Sequence, residues 1–308
     1  MGTPEFAVPS LLALVRSRHI VAAAVSQPDK PSGRGLSVKP TPVRAAALER
    51  GIEVIAARSV RSRDFLDQVR AISPDVLAVV AFGRILPDDL LEMAPHGGVN
   101  LHASLLPKYR GAAPAAWAIA RGETVTGVTT MKIESEMDAG DVFLQRSLAI
   151  GDQETAGQLQ ERLARLGAPL LVESLDALEA GTLAGLPQDP SAATYAPILR
   201  KEDGRIDWKM EAAAIERRVR AFDPWPAAST TNRGRWLRIW KARPLPTAPA
   251  GPRSQPGEIL QASREGLRVA CGGGSLLDVL ELQPEGRRRM SSAEAVAGRY
   301  FGAGELLA

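Results

Sequence analysis

Val76-Leu77-Ala78-Val79-Val80-Ala81-Phe82 is an unbroken apolar row bounded by Pro74 and Gly83. It is far shorter than the roughly 18 residues that span a bilayer. A strand with one wet face alternates apolar and polar residues, so an unbroken row requires cover on both faces. The neighbouring sequence supplies that cover. Residues 19–25 and 52–55 read as further buried strands. Thr41 and Pro42 open a helix that Gly51 stops. Helical patterns follow over 62–72 and around 88–93, and the second leads into a strand carrying Asn100 and His102. Strands alternating with helices predict an α/β class with a Rossmann-like, mostly parallel sheet. Ligands of such sheets bind beyond the carboxyl ends of the strands.

At 308 residues the chain exceeds one ordinary core. A catalytic domain is expected over 1–184, a linker over 185–205 and a second domain over 206–308. The linker is where Gly185, Pro187, Pro190 and Pro197 interrupt the pattern. Before it, residues 126–134 and 142–150 suit a pair of strands around a turn at Asp138. Leu159, Leu163, Leu166, Leu170 and Leu178 repeat at helical spacing through 156–180. That run is too short for sustained heptads and reads as core packing. After the linker, a helix over 212–221 precedes short strands at 236–240, 258–261, 267–270 and 276–282. This pattern suits a small OB-like β-barrel. Trp225, in Asp223-Pro224-Trp225-Pro226, reads as an aromatic packed at a turn.

Hydrophobic residues at 45% and charged residues at 24% are the proportions of a soluble globular protein. The chain has no membrane-length apolar run and does not open on the basic-then-apolar pattern of a signal peptide. Cys271 is the single cysteine, which excludes an internal disulfide or a Cys-rich metal site. The expected compartment is the cytoplasm. Charge is unevenly divided. Residues 197–308 carry 19 Lys and Arg against 13 Asp and Glu, a net +6, whereas residues 1–196 carry 19 against 22, a net −3. The basic C-terminal third fits either a polyanionic partner or a solvated basic face.

Asn100 and His102 are two residues apart, which places both side chains on one face of a strand. Gly97 and Gly98 precede them, and Pro107 ends the regular structure that follows. Asp138 lies in Glu136-Met137-Asp138-Ala139-Gly140-Asp141, a turn-like setting. An amide donor, an imidazole and a carboxylate to orient it make a site fit for acyl transfer. Each also has a plainer reading: His102 as a structural histidine, Asp138 as a turn residue. Ser104 carries no mark of activation, and there is no G-x-S-x-G elbow. No metal is expected, because neither H-x-x-x-H nor paired cysteines occur. Gly2-Thr3-Pro4 does not match G-x-G-x-x-G and there is no Walker motif, so no NAD or FAD site is expected. The Pro- and Gly-rich stretch 27–40 carries Lys30, Arg34 and Lys39. It reads either as a solvated loop or as a basic finger for phosphates. Arg287, Arg288 and Arg289 form a second basic cluster.

His102-Ala103-Ser104-Leu105-Leu106-Pro107, with Asn100 before it and Asp138 after it, resembles the signature of the folate-dependent formyltransferases. Gly2-Thr3-Pro4-Glu5-Phe6-Ala7, Gln27-Pro28-Asp29-Lys30-Pro31-Ser32-Gly33-Arg34-Gly35 and Arg220-Ala221-Phe222-Asp223-Pro224-Trp225-Pro226 resemble the branch of that family whose acceptor is methionyl-tRNA. Lys201-Glu202-Asp203-Gly204-Arg205-Ile206-Asp207-Trp208 does the same, and the likeness covers nearly the whole chain. The resemblance implies 10-formyltetrahydrofolate as co-substrate and initiator methionyl-tRNA as acceptor. It implies catalytic roles for Asn100 (oxyanion donor), His102 (charge stabilisation and proton shuttle) and Asp138 (orientation of His102). It implies folate contacts from Phe82, Gly83, Arg84, Ile85 and Leu86, and from Ser104, Leu105, Leu106 and Pro107. It implies tRNA contacts from Lys30, Arg34 and Lys39, from Arg287, Arg288 and Arg289, and from the C-terminal barrel. A folate-dependent amino-sugar nucleotide formyltransferase is the alternative within the family; the basic loop and the charge asymmetry argue against it.

Two departures from the family pattern stand out. The family carries a strand of about five residues ahead of Gly-Thr-Pro, whereas here Met1 stands directly before it, so a natural start a few codons upstream is expected. Ala227 stands where the family often has Gly, with only a local effect expected.

Overall fold

The structure is a computed structural model that describes residues 1–32, 37–245 and 254–308, without the side chains of residues 30–32, 37 and 38. The chain forms two compact units. The first comprises Met1–Pro114, Val125–Ala149 and Gln160–Pro197; the second comprises Ala115–Thr124, Ile150–Leu159 and Ile198–Ala308.

The first unit is an α/β sheet. After a short 3-10 turn the chain runs through α1 (Val8–Arg16), β1 (Ala24–Ser26), β2 (Lys30–Ser32) and β3 (Ser37–Lys39). It continues through α2 (Pro42–Leu48), β4 (Val54–Ala56), α3 (Arg63–Ile72) and β5 (Leu77–Val80). Then come α4 (Asp88–Leu91), β6 (Gly98–His102), β7 (Val125–Lys132), β8 (Val142–Ala149) and most of α6 (Ala156–Glu179); α5 (Pro114–Arg121), between β6 and β7, falls almost wholly in the second unit. The Thr41 side chain accepts from Arg44 N at the start of α2, and Pro42 sits where no N–H is needed. β1 pairs in parallel with β4, and β5 pairs in parallel with β6. From β6 onwards the pairing turns antiparallel, β6 with β7 and β7 with β8. Consecutive strands joined by a tight turn, here the one at Asp138, can only pair that way. β2 and β3 form a separate antiparallel pair.

Met1 and Gly2 join the two parallel pairs. Gly2 N donates to Val25 O (2.9 Å), Val80 N donates to Met1 O (2.9 Å), and Gly2 bridges Val80 in parallel. The sheet core contains Val25, Ile55, Phe65, Leu77, Val79 and Leu90. Each such large apolar side chain contributes about 1.5–3 kcal/mol by leaving water.

The expected strand over 19–25 is shorter than its apolar pattern. Only Ala24–Ser26 forms a ladder, and Ile20 is 93% exposed. Apolar residues become a strand only where a hydrogen-bonding neighbour runs alongside. Residues 20–25 instead line a cavity of about 660 Å³, together with residues 74–78 and the helix residues Leu11, Leu14, Leu171 and Leu175. Met1 also lines it, and its buried ammonium donates to Ala78 O at 2.6 Å. Burial pushes that amine's pKa down from 8.0 to about 5.

The second unit contains α7 (Ala212–Ala221), β9 (Ala228–Asn232), β10 (Arg235–Leu245), β11 (Ile259–Ser263) and β12 (Gly266–Ala270). It ends with β13 (Leu276–Pro284), β14 (Met290–Ser291) and α8 (Ser292–Ala297). These strands form one antiparallel sheet of order β11-β12-β13-β10-β9, with β14 on β13. The last residues bridge both edges: Leu307 pairs with Asn232 at the end of β9, and Leu306 pairs with Glu258 just before β11. The sheet is consistent with the OB-like architecture expected of the C-terminal region, although among the described residues its strands do not pair into a closed barrel. Its core holds Trp208, Ile215, Leu237, Ile239, Val269 and Leu277. Leu237 and Ile239 point inward, while Trp236 and Arg238, alternating with them, point out.

β9 escaped the sequence reading. Arg233 (φ +50°) and Gly234 (φ +76°) form its two-residue hairpin turn to β10. Two consecutive positive φ angles match the right-handed twist of a hairpin, but Arg at the first position hides the usual Asn-Gly signal. Trp225 is 54% exposed rather than packed. The edge-to-face aromatic contact of this region joins Trp117 and Phe222 instead (6.1 Å between centroids). Ala227 is buried with φ +68°, a left-handed conformation that normally favours glycine.

Candidate active site

β6 places the two polar residues at the carboxyl end of the parallel pair. Val99 and Leu101 point into the core, so Asn100 and His102 share the opposite face. Asn100 is half-buried, and the His102 side chain is 7% exposed. His102 Nε2 lies 2.9 Å from the carbonyl oxygen of Tyr109. A carbonyl only accepts, so Nε2 carries the proton and donates it there. Nδ1 is therefore the nitrogen left to exchange a proton. It faces Asp138, whose Oδ2 is 3.7 Å away.

The same Asp138 oxygen accepts from Gly111 N at 2.8 Å. Both loops at this point adopt left-handed backbone at a residue with a side chain, Tyr109 (φ +62°) and Asp138 (φ +54°). Such conformations persist only where surrounding bonds hold them. Gly111 (φ +117°) has no room for a side chain, since a β-carbon there would lie 2.6 Å from Ala196 O.

The loop 103–107 is tied down from below. Thr129 Oγ1 donates to Ser104 O (2.6 Å) and accepts from Leu106 N (3.1 Å). Gln145 Nε2 donates to Leu106 O and to Thr129 Oγ1, both at 2.9 Å. Thr129 stands opposite His102 on β7, and Gln145 stands opposite Thr129 on β8. Sequence reasoning missed both residues, as it missed Arg110 and Gln188, which lie behind the Asp138 turn. Their partners are 16 to 78 residues away in sequence, so no local pattern marks them.

The remaining candidates are placed as follows. Phe82 and Leu86 are buried, whereas Gly83, Arg84 and Ile85 are exposed after β5, the strand beside β6. The Phe82 carbonyl accepts from Gln27 Nε2 at 2.9 Å. Ser104 is fully buried and its hydroxyl donates to Lys108 O at 2.6 Å, so it is a loop-closing residue rather than an exposed one. Leu106 is buried, and Leu105 and Pro107 are half-buried. Lys39 is exposed; Arg34 and the Lys30 side chain lie outside the described residues. Arg287, Arg288 and Arg289 are exposed in the second unit. Arg288 pairs with Glu294 (2.8 Å), and Arg289 pairs with Glu281 (2.6 Å) and lies over the Trp240 ring.

Among the described residues, no helix is long and apolar enough to cross a membrane.

Known proteins resemble this chain over nearly its full length. Residues 1–175 match the family model described as formyl transferase, and residues 198–300 match that of the formyl transferase C-terminal domain. A methionyl-tRNA formyltransferase of Geobacter sulfurreducens is 47% identical over 298 residues, covering 97% of this chain and 92% of that protein. One of Solibacter usitatus is 48% identical over 307 residues, covering 100% and 97%. Among solved structures, the N-formyltransferase of Helicobacter canadensis, in complex with folinic acid and dTDP-3-aminofucose, superposes with a TM-score of 0.65. That likeness covers 92% of this chain and 97% of the other at 18% identity, and concerns the fold alone.

Proposed function

Because the chain belongs to the formyl transferase family, we propose that it transfers the formyl group of 10-formyltetrahydrofolate to the α-amino group of methionyl-tRNA. The product, N-formylmethionyl-tRNA, serves translation initiation. The observation that carries the reading is end-to-end identity of 47–48% with relatives named for that reaction. The placement of Asn100, His102 and Asp138 at one strand end supports it.

In this reading the acceptor's amine attacks the formyl carbon and negative charge develops on the formyl oxygen. The Asn100 side-chain amide donates to that oxygen; such a donor is worth about 2.7–4 kcal/mol of transition-state stabilisation. As the new C–N bond forms, the amine loses a proton to Nδ1 of His102. The bond from the formyl carbon to the folate nitrogen breaks, and that nitrogen takes a proton in turn, so protons balance over the cycle. Nε2 is held by Tyr109 O and Nδ1 faces the Asp138 carboxylate, contacts that in this reading steady the imidazole as Nδ1 takes the proton. The exposed Gly83–Ile85 backbone at the end of β5 faces the pterin, above the buried Phe82 and Leu86. Lys30, Arg34 and Lys39 contact the acceptor end of the tRNA. The net +6 of residues 197–308 attracts its phosphates, with Arg287 and its neighbours among the contacts. The enzyme works in the cytoplasm, where folate co-substrate and charged tRNA meet.

An acceptor panel tests the proposal: initiator methionyl-tRNA, uncharged tRNA and an amino-sugar nucleotide, each with 10-formyltetrahydrofolate. Transfer to methionyl-tRNA alone, with apparent affinity falling steeply as salt rises, is the expected result. Transfer to the sugar overturns it.

A further inference from the structure

Behind Asp138 lies a closed hydrogen-bond network whose members are not themselves at the strand end. Arg110 is 4% exposed, and a guanidinium so buried needs every available acceptor. Its Nε and Nη2 both donate to Gln188 Oε1, at 3.2 and 2.9 Å, and its Nη1 reaches Glu136 Oε1 at 3.3 Å. Gln188 Nε2 in turn donates to the carbonyls of Asp138 (2.9 Å) and Gly140 (2.7 Å). These two carbonyls bracket the turn. The amide has one possible orientation: flipped, it would set N–H against guanidinium and oxygen against carbonyl.

Arg110 is itself anchored through its backbone. Its N donates to Thr194 O (2.8 Å), and its carbonyl accepts from Ala196 N (2.7 Å). The next residue, Gly111, supplies the N–H that holds the Asp138 carboxylate. One anchored dipeptide thus grips Asp138 twice, at the carboxylate through Gly111 and at the main chain through Arg110 and Gln188. These bonds hold the left-handed backbone of Asp138, which turns its carboxylate toward His102.

We propose that Gln188, locked by Arg110, is a positioning residue for the formyl-transfer site, holding the Asp138 turn so that the carboxylate meets His102. This rests on the catalytic reading of Asp138 given above. The hydrogen bonds of the Gln188 side chain go to Arg110 and to the Asp138 turn, so its effect on the reaction passes through Asp138.

A double-mutant cycle tests that claim. Gln188→Leu should lower kcat by roughly 10–100-fold, the scale expected when a catalytic group shifts by a fraction of an ångström to one ångström. KM for 10-formyltetrahydrofolate should stay unchanged. In an Asp138→Ala background the same change should cost less than about threefold, because the group it positions is already gone. Equal losses in both backgrounds overturn the proposal, as does a rise in folate KM without a fall in kcat. If the leucine variant does not fold, Gln188→Glu serves: it still accepts from Arg110 but has no N–H for the two carbonyls, and the same non-additive pattern is expected. Wild-type turnover by Asp138→Ala alone overturns the catalytic reading itself, and that result is visible before Gln188 is changed.

Discussion

The Oδ2 atom of Asp138 lies 3.7 Å from Nδ1 of His102 and 2.8 Å from the backbone N of Gly111. One carboxylate oxygen therefore links the loop after β6 to the turn after β7. Asp138→Asn keeps a side-chain oxygen for Gly111 and removes the negative charge from His102. Formyl transfer should fall by about 10²–10⁴-fold, the usual worth of assisted proton transfer, while the melting temperature stays within a few degrees. A wild-type rate would show that the carboxylate has no part in the reaction.

In the proposed mechanism Asn100 acts at a different point, on the formyl oxygen. Asn100→Ala should lower kcat by about 10²–10³-fold, with the KM for methionyl-tRNA unchanged. Steady-state kinetics at saturating folate distinguish this from a binding defect. A raised KM with normal kcat would place Asn100 in ground-state binding instead.

Much of this arrangement was legible in the sequence. The unbroken row 76–82 required a two-sided sheet, and the spacing of Asn100 and His102 required a shared face; β5 and β6 show both. The strands of the C-terminal region were legible where alternation was strong, as at Leu237 and Ile239. Other features depend on partners that no local pattern reveals. The row 19–25 is apolar enough for a strand, yet it forms a ladder only at Ala24–Ser26. Gln188 sits among prolines that read as a linker, and only the fold brings it to Arg110. Arg233 occupies a turn position where Asn or Gly would have signalled the hairpin.

The buried amine of Met1 makes stability depend on pH. The unfolded amine titrates near 8.0 and the folded one at about 5, so between these values the unfolded chain binds more protons. Stability of a chain starting at Met1 should therefore rise as pH goes from about 5 to 8, by up to about 4 kcal/mol for this group. Thermal melts across that range check this: a melting temperature that does not rise between pH 5 and 8 would contradict the burial of the amine.

Cys271 reports on the second unit. Burial pushes its thiol up from 9.0 to about 12, so at pH 8 the folded chain holds about a thousandfold less thiolate than the unfolded one. Alkylation by iodoacetamide should be slower by at least that factor until denaturant unfolds the sheet. Rapid labelling of the native protein would show that this core is open.

The most direct test of the account is single-turnover formation of N-formylmethionyl-tRNA by the wild-type chain and by His102→Ala, with tRNA binding measured alongside. Transfer by the wild type is expected, with a fall of at least about 10²-fold for His102→Ala and binding unchanged. Equal transfer rates would contradict the proposed mechanism, in which Nδ1 of His102 takes the proton.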